Sequence, residues 1–283
     1  METAVTIGKF DGFHRGHRKL LRELSDYRKE HPDVSSAVIR LETGRDGILS
    51  QSEQEDIVRS FGIDRLIRLP FRPALAVLTP EEFVRHYLVD ELGTCFVAVG
   101  TDFRFGRDRR GDIDTLRSLG EKYGFVTVAC EKETEEGRSI SSSWIRDLLA
   151  EGDVSRANQL LGKNFSLGGT VEHGAHLGTT LGFPTLNVFP AAGKLLPRFG
   201  AYKSRVFLKE KAYQGLTNVG RKPTVYEGLS PLSETYVFGL DEDCYGEEVT
   251  VELCSFIRPE KRFASVEELR QQLERDREEA LQN

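Results

Sequence analysis

Residues 8–17 place the strongest constraint on what this chain can fold into. Their sequence, Gly-Lys-Phe-Asp-Gly-Phe-His-Arg-Gly-His, follows a short apolar run at 4–7 and leads into an amphipathic stretch at 19–24. This order indicates a strand, a tight turn and then a helix, the unit from which parallel sheets are built. Ligands of such sheets bind at the carboxyl ends of the strands, so the turn is a candidate site.

The residue types in this turn point to phosphate. Glycines such as Gly12 let the backbone approach an anion closely, and a helix start offers free N–H groups and about half a positive charge. His14 and His17 are three residues apart, so both imidazoles can reach one ligand from the same face of a helix. An ordinary loop and a metal pair are the alternatives. Zinc requires three or four ligands, and Asp11 alone does not complete such a set.

The first half of the chain alternates strand-like and helix-like segments. Short apolar runs typical of buried parallel strands occur at 37–41, 65–69, 95–100 and 125–130. Helix starts are readable between them: Thr79, Pro80 and Glu82 form a capping box with proline in the first turn, and Ser52 with Glu55 resembles the same device. Repeated strand and helix predict a doubly wound α/β domain over residues 1–161.

After residue 161 the pattern changes to strand-length segments rich in glycine, without helices between them. These segments lie at 168–171, 201–208, 212–218, 234–239 and 249–256. They predict an antiparallel barrel or sandwich over residues 162–283. A final helix is expected toward residue 281, capped by Ser265 and Glu268.

Charge and cysteine content exclude several classes of partner. The net charge is −6, so neither nucleic acid nor an anionic membrane gains from a global attraction. The four cysteines are widely spaced without a Cys-x-x-Cys pair, which is typical of reduced packing residues in a cytoplasmic protein. No signal peptide or membrane-spanning run is visible, so we expect a cytoplasmic protein; the sequence leaves its oligomeric state open.

Two further segments carry groups suited to phosphate. Ser142 and Ser143 precede a helical pattern, where their hydroxyls and the planar fork of Arg146 could bind phosphate oxygens; plain helix capping explains the serines as well. Thr185 and Asn187 are two apart on an extended chain, so their oxygens face one side and could share Mg²⁺ with nucleotide phosphates. The glycines before them, Gly178 and Gly182, could form a backbone anion nest.

The chain resembles the prokaryotic bifunctional riboflavin kinase/FAD synthetase family. Residues 8–17 are similar to its Gly-x-Phe-Asp-Gly-x-His-x-Gly-His signature, 140–146 to its Ile-Ser-Ser-Thr-x-x-Arg motif, and 182–187 to its Gly-Phe-Pro-Thr-x-Asn motif. The resemblance implies a Rossmann-like nucleotidyltransferase domain followed by a riboflavin kinase barrel with a C-terminal helix. It also implies two ATP-dependent reactions, riboflavin to FMN and then FMN to FAD.

The resemblance assigns roles to particular residues. It implies catalytic roles for His14, His17 and Glu234, the last as general base of the kinase. Flavin contacts would come from a loop at 100–106 and from a segment at 256–263, through Asp102, Phe103, Arg104 and Arg258. Magnesium would be held by Thr185 and Asn187. The residues expected to bind nucleotide are Gly8, Phe10, Asp11, Gly12, Gly16, Ser142, Ser143, Arg146, Gly178 and Gly182.

Two segments depart from the family pattern. Residues 41–47 lack the usual Pro-His-Pro turn after the second strand, and Thr179 stands where an arginine is common. Two alternatives therefore stay open: a riboflavin kinase with a decayed adenylyltransferase site, and a flavin- or nucleotide-binding regulator without turnover. FAD accumulation, FMN alone, or binding without product would separate the three.

Overall fold

A computed structural model describes residues 2–42, 44–70, 72–173, 183–223 and 229–282. The chain divides into two units, Met1–Ser142 and Ser143–Asn283. No helix within these described ranges is both long and apolar enough to cross a membrane.

The first unit is built on a parallel sheet. Its strands are β1 (Thr3–Gly8), β2 (Ser35–Glu42), β3 (Arg65–Pro70), β4 (Thr94–Gly100) and β5 (Val126–Cys130). They lie in the order β3-β2-β1-β4-β5, with every neighbouring pair parallel. The predicted doubly wound α/β fold and its apolar strands are confirmed. The order reverses around β1 and β4, and ligands bind at such a switch point.

Helices cover both faces of this sheet because residues of β1 alternate between them. Ala4 packs with Leu21 and Leu24 on one face, whereas Val5 packs with Val97 and Leu116 on the other. The helices are α1 (Arg15–Glu30), α2 (Gln51–Ser60), α3 (Pro73–Ala76), α4 (Pro80–Phe83), which continues as a π-helix (Val84–Asp90), and α5 (Ile113–Tyr123). A short hairpin, β6 (Thr134–Glu135) and β7 (Arg138–Ser139), follows β5.

The capping predictions had mixed outcomes. Thr79 and Glu82 form the capping box expected at α4. The box expected from Ser52 and Glu55 is wrong, because α2 is capped by Ser50 and Glu53, a pair with the same spacing two residues earlier. Just after this cap, the buried Gln54 side chain donates to the Leu49 carbonyl at 3.0 Å.

The second unit contains a closed antiparallel barrel. Of the two alternatives that the sequence left open, the barrel is therefore the one found. Its strands run in the order β10-β11-β12-β9-β8-β13 around the closure. Their bounds are β8 (Phe165–Glu172), β9 (Thr185–Val188), β10 (Gly200–Leu208), β11 (Lys211–Pro223), β12 (Leu229–Val237) and β13 (Glu248–Pro259). Inside the barrel, the buried Thr217 hydroxyl bonds to Ser204 at 2.7 Å and Thr235 at 2.9 Å.

Among the described residues, three helices accompany the barrel strands in the chain. They are α6 (Ser142–Glu151), whose first residue closes the first unit, α7 (Val154–Leu161) and α8 (Val266–Leu281). The Asn158 amide of α7 donates to the Leu253 carbonyl of β13 at 2.8 Å and accepts from the Phe165 N–H at 2.7 Å. The expected cap of α8 is confirmed, since the Ser265 hydroxyl accepts from the Glu268 N–H.

Candidate functional site

The loop after β1 is held in an unusual backbone conformation. Phe10, Gly12 and Phe13 have φ angles of 45°, 90° and 42°. Left-handed backbone is costly for bulky residues such as phenylalanine and persists where the surroundings impose it. Here Phe10 and Phe13 are 0% exposed, and their rings stack with centroids 5.3 Å apart. Burial and stacking of the two phenylalanine rings thus hold the loop in this conformation.

The two histidines meet at the start of α1. His14 is the N-cap residue, and its Nδ1 accepts the His17 N–H at 3.4 Å. The two imidazole rings stack with centroids 3.7 Å apart and planes 19° apart. Because Nδ1 of His14 is an acceptor, its neutral ring carries the proton on Nε2. Sequence reasoning placed both rings near one face, and the structure puts them side by side at the carboxyl end of β1.

Burial keeps these imidazoles neutral. Loss of solvent lowers the pKa of His14 to about 4, although the Asp11 carboxylate acts in the opposite direction. Burial, together with the nearby His14, lowers the pKa of His17 well below its ordinary value. At pH 7 both rings therefore offer N–H groups as hydrogen-bond donors without carrying charge.

Two of the predicted glycines leave room for a neighbouring ring to approach the backbone closely. A Cβ on Gly16 would lie 3.3 Å from His14 Nδ1, and a Cβ on Gly8 would lie 3.2 Å from the Phe10 ring. Contacts of this length would force the neighbouring ring to shift. Glycine at these positions thus lets the imidazole and the phenyl ring sit against the backbone.

Asp11 organises the chain around the loop. Its Oδ1 accepts the Ile48 N–H at 2.9 Å, and its carbonyl accepts the Ser142 hydroxyl at 2.6 Å. The first of these bonds links the loop to the segment that follows residues 41–47, the stretch that departs from the family pattern. Ser142 is the first residue of α6, with the exposed Ser143 next and the half-buried Arg146 one turn later.

An ion-pair cluster that sequence reasoning missed lies beside the helix start. Arg15 pairs with Glu133 at 2.6 Å and with Glu135 at 2.8 Å. The carboxylates come from the β6–β7 hairpin and the residues before it, more than a hundred positions along the chain. No local signal in the sequence connects groups so far apart.

The loop after β4 lies at the same edge of the sheet, since β4 is the neighbour of β1. Phe103 stacks on Phe105 with centroids 5.3 Å apart, and its N–H donates to the Gly100 carbonyl at 2.9 Å. Asp102 is paired with Lys132 at 2.7 Å, and the Arg104 guanidinium donates to the Phe103 carbonyl. The residues predicted to contact flavin in this unit thus lie in a largely exposed loop, which is stabilised by the stacking of Phe103 on Phe105.

In the barrel, strand register brings the predicted kinase residues together. Asn187 of β9 is the direct partner of Glu234 of β12, and Glu234 is the partner of Asn218 of β11. Directly paired residues share a face of the sheet, and Thr185 shares the face of Asn187 because side chains alternate along a strand. The Asn187 amide also donates to the Thr185 carbonyl at 3.3 Å. Gly178 and Gly182 lie outside the described residues.

The chemistry of this group suits a hard divalent cation. Asn187 is 5% exposed, and its Oδ1 is buried with no hydrogen-bond partner among the described residues. A buried amide oxygen without a donor is costly unless a cation occupies that position. No cluster of three or more His, Cys, Asp or Glu suited to a metal occurs in the described part of the chain.

Arg258 has a structural partner. Its guanidinium forms a forked ion pair with Asp276 of α8, at 2.7 Å from Nη2 and 2.9–3.0 Å from Nε. Asp276 is 2% exposed and also accepts from Gln272 at 2.8 Å. These bonds attach α8 to β13, and a flavin contact by Arg258 remains a prediction.

The fold and the two groups of residues define a class. A parallel α/β unit with paired histidines at a helix start, followed by a barrel with a Thr-x-Asn strand opposite a glutamate, describes a two-module phosphorus-transferring protein. Family models agree: residues 1–144 match FAD synthetase and residues 161–283 match riboflavin kinase. The chain belongs to the bifunctional riboflavin kinase/FMN adenylyltransferase family, as the resemblance implied.

Relatives of the same description match nearly the whole chain. The bifunctional riboflavin kinase/FMN adenylyltransferase of Escherichia coli K12 is 37% identical, covering 96% of this chain and 90% of that protein. The Bacillus subtilis protein is 32% identical, covering 99% and 92%. A solved structure described as a macrolide-efflux protein from Streptococcus pneumoniae aligns with a TM-score of 0.86 and 28% identity, covering 98% of this chain and 93% of that one.

Proposed function

We propose that this chain makes flavin cofactors in two ATP-dependent steps. The barrel unit phosphorylates riboflavin to FMN, and the α/β unit transfers AMP from ATP to FMN, forming FAD and releasing pyrophosphate. One observation carries the proposal: a phosphate cradle with stacked neutral histidines and a Thr185–Asn187–Glu234 group occur in a single chain. The division into catalytic modules at 1–161 and 162–283 belongs to the same proposal.

Adenylyl transfer requires alignment more than a strong base. The phosphate of FMN is already an anion near neutral pH, so it needs no deprotonation before attacking the α-phosphate of ATP. The backbone N–H groups at the start of α1 would hold the polyphosphate. His14 and His17 would donate hydrogen bonds to charge that develops on the phosphoryl oxygens and the pyrophosphate leaving group. Ser142, Ser143 and Arg146 would contact the same phosphates, and Asp102, Phe103 and Arg104 the flavin.

Riboflavin phosphorylation does require a base. The attacking group is the ribityl 5′-hydroxyl, and the Glu234 carboxylate would accept its proton as the oxygen bonds to the γ-phosphorus of ATP. Thr185 and Asn187 would hold Mg²⁺, which supplies charge neutralisation on the phosphates. The register pairing of Asn187 with Glu234 puts the cation ligand and the base on one face of neighbouring strands.

The remaining assignments follow from composition. Four cysteines are free, which favours the reducing cytoplasm, and the net charge of −6 favours small-molecule substrates over nucleic acid or anionic membranes. Riboflavin, FMN and ATP are therefore the proposed partners, with Mg²⁺ as the proposed cofactor.

A product assay tests the proposal. The purified protein is incubated with riboflavin, ATP and Mg²⁺, and the flavins are separated chromatographically. FAD accumulation supports both steps. FMN alone would instead favour the kinase with a decayed second site, the outcome that the altered turn at 41–47 motivates. Flavin binding without any product would overturn both activities.

A further inference from the structure

The first turns of α1 have an unfavourable distribution of charge. No acidic residue lies in the first turn, although the positive end of a helix dipole stabilises acidic residues and destabilises basic ones. Arg15 and Arg18 both lie near this end. Arg15 is neutralised by its two glutamates, whereas Arg18 has no equivalent compensation.

The Arg18 guanidinium is held close to the loop that follows β1. Its Nε donates to the Phe13 carbonyl at 3.1 Å, so the side chain extends back to the N-terminal end of the helix. Among the described residues this carbonyl is its one hydrogen-bond acceptor, and no carboxylate pairs with it. Burial, reinforced by the positive charge of Arg22, lowers the pKa of Arg18.

We propose that Arg18 is a phosphate-binding residue of the adenylyltransferase site, where it contacts the polyphosphate of ATP and the released pyrophosphate. The inference rests on the proposed function. A half-buried cation with a planar fork, fixed beside the helix start and lacking a carboxylate, is suited to phosphate oxygens. Arg18 would thereby neutralise part of the negative charge that ATP and FMN bring together in this unit.

The test compares Arg18→Gln with Arg22→Gln, a matched change one turn further along α1. FAD formation is measured against ATP and against FMN, with inhibition by added pyrophosphate. We expect Arg18→Gln to raise the KM for ATP and the inhibition constant of pyrophosphate about tenfold or more, with riboflavin phosphorylation unchanged as the internal control. A rise in the KM for FMN alone would identify the FMN phosphate as the ligand and overturn the assignment to the nucleotide.

Stability separates this role from a structural one. Because Arg18 is an unpaired cation at the positive end of a helix, the Gln variant should melt no lower than the wild type without ligand. Calorimetric titration with inorganic pyrophosphate should show weaker binding to Arg18→Gln than to Arg22→Gln, and this holds even if the wild type makes no FAD. Equal effects of both variants, or a lower melting temperature with unchanged pyrophosphate binding, would overturn the proposal.

Discussion

The imidazole rings of His14 and His17 stack 3.7 Å apart, while Nδ1 of His14 accepts the backbone N–H of His17. This single arrangement caps α1, orients both rings and keeps two like groups in close contact. Protonating either ring would place a charge against the other inside a buried site. At neutral pH both rings are therefore uncharged and can donate hydrogen bonds.

Replacing His17 with alanine should nearly abolish FAD formation. The loss of one preorganised donor typically costs roughly 2.7–4 kcal/mol of transition-state stabilisation, or about 10²–10³ in rate. Riboflavin phosphorylation by the same preparation serves as the control, because its proposed residues lie in the barrel. The role fails if His17→Ala makes FAD at the wild-type rate.

Stability should fall at mildly acidic pH because of His14. Its pKa is lowered from 6.5 to about 4, so between these values the unfolded chain binds a proton that the folded chain does not. The contribution of the neutral ring is complete above about pH 6.5 and is lost as the pH falls toward 4, roughly 2 kcal/mol between pH 7 and pH 5. The drop in melting temperature between pH 7 and pH 5 should therefore be larger for the wild type than for His14→Gln. Parallel losses would contradict the assignment.

Replacing Glu234 with glutamine should remove the base of the kinase. Glutamine keeps the size of the side chain but cannot accept the hydroxyl proton, so riboflavin phosphorylation should fall by about 10²–10⁴. FAD formation from supplied FMN should persist. Glu248→Gln, on the exposed start of β13, is the matched control and should leave both activities intact. Full kinase activity in Glu234→Gln would exclude the carboxylate as base.

The half-buried Arg258 and the buried Asp276 should behave as one structural unit. Asp276→Leu removes the carboxylate from a half-buried guanidinium and should destabilise the protein by about 1–3 kcal/mol, whereas adding Arg258→Met should recover most of the loss. Denaturant unfolding of the single and double variants measures both effects. Failure of the second change to recover stability would contradict the pairing. In a stable double variant, a raised KM for riboflavin would support the flavin contact predicted for Arg258.

Local patterns were sufficient for several of the helices and strands. The strand-turn-helix at 8–17, the apolar strands and the caps of α4 and α8 depend on residues within a few positions of one another. The cap of α2 shows the limit of this reasoning. Two Ser-x-x-Glu pairs are equivalent locally, and the structure uses the earlier one, Ser50 and Glu53.

By itself, then, the sequence determined the α/β class of the first unit, the strand-rich character of the chain after residue 161 with its final helix, and the residue types suited to phosphate. Tertiary structure decided that the strands close into a barrel and that Asn187 is paired with Glu234. It also decided that Arg15 is neutralised by Glu133 and Glu135, whereas Arg18 has no carboxylate partner among the described residues. The physical reason is the distance along the chain over which each kind of interaction acts. Propensity and periodicity act over one or two turns of chain, whereas register, burial and ion pairing join groups that only folding brings together.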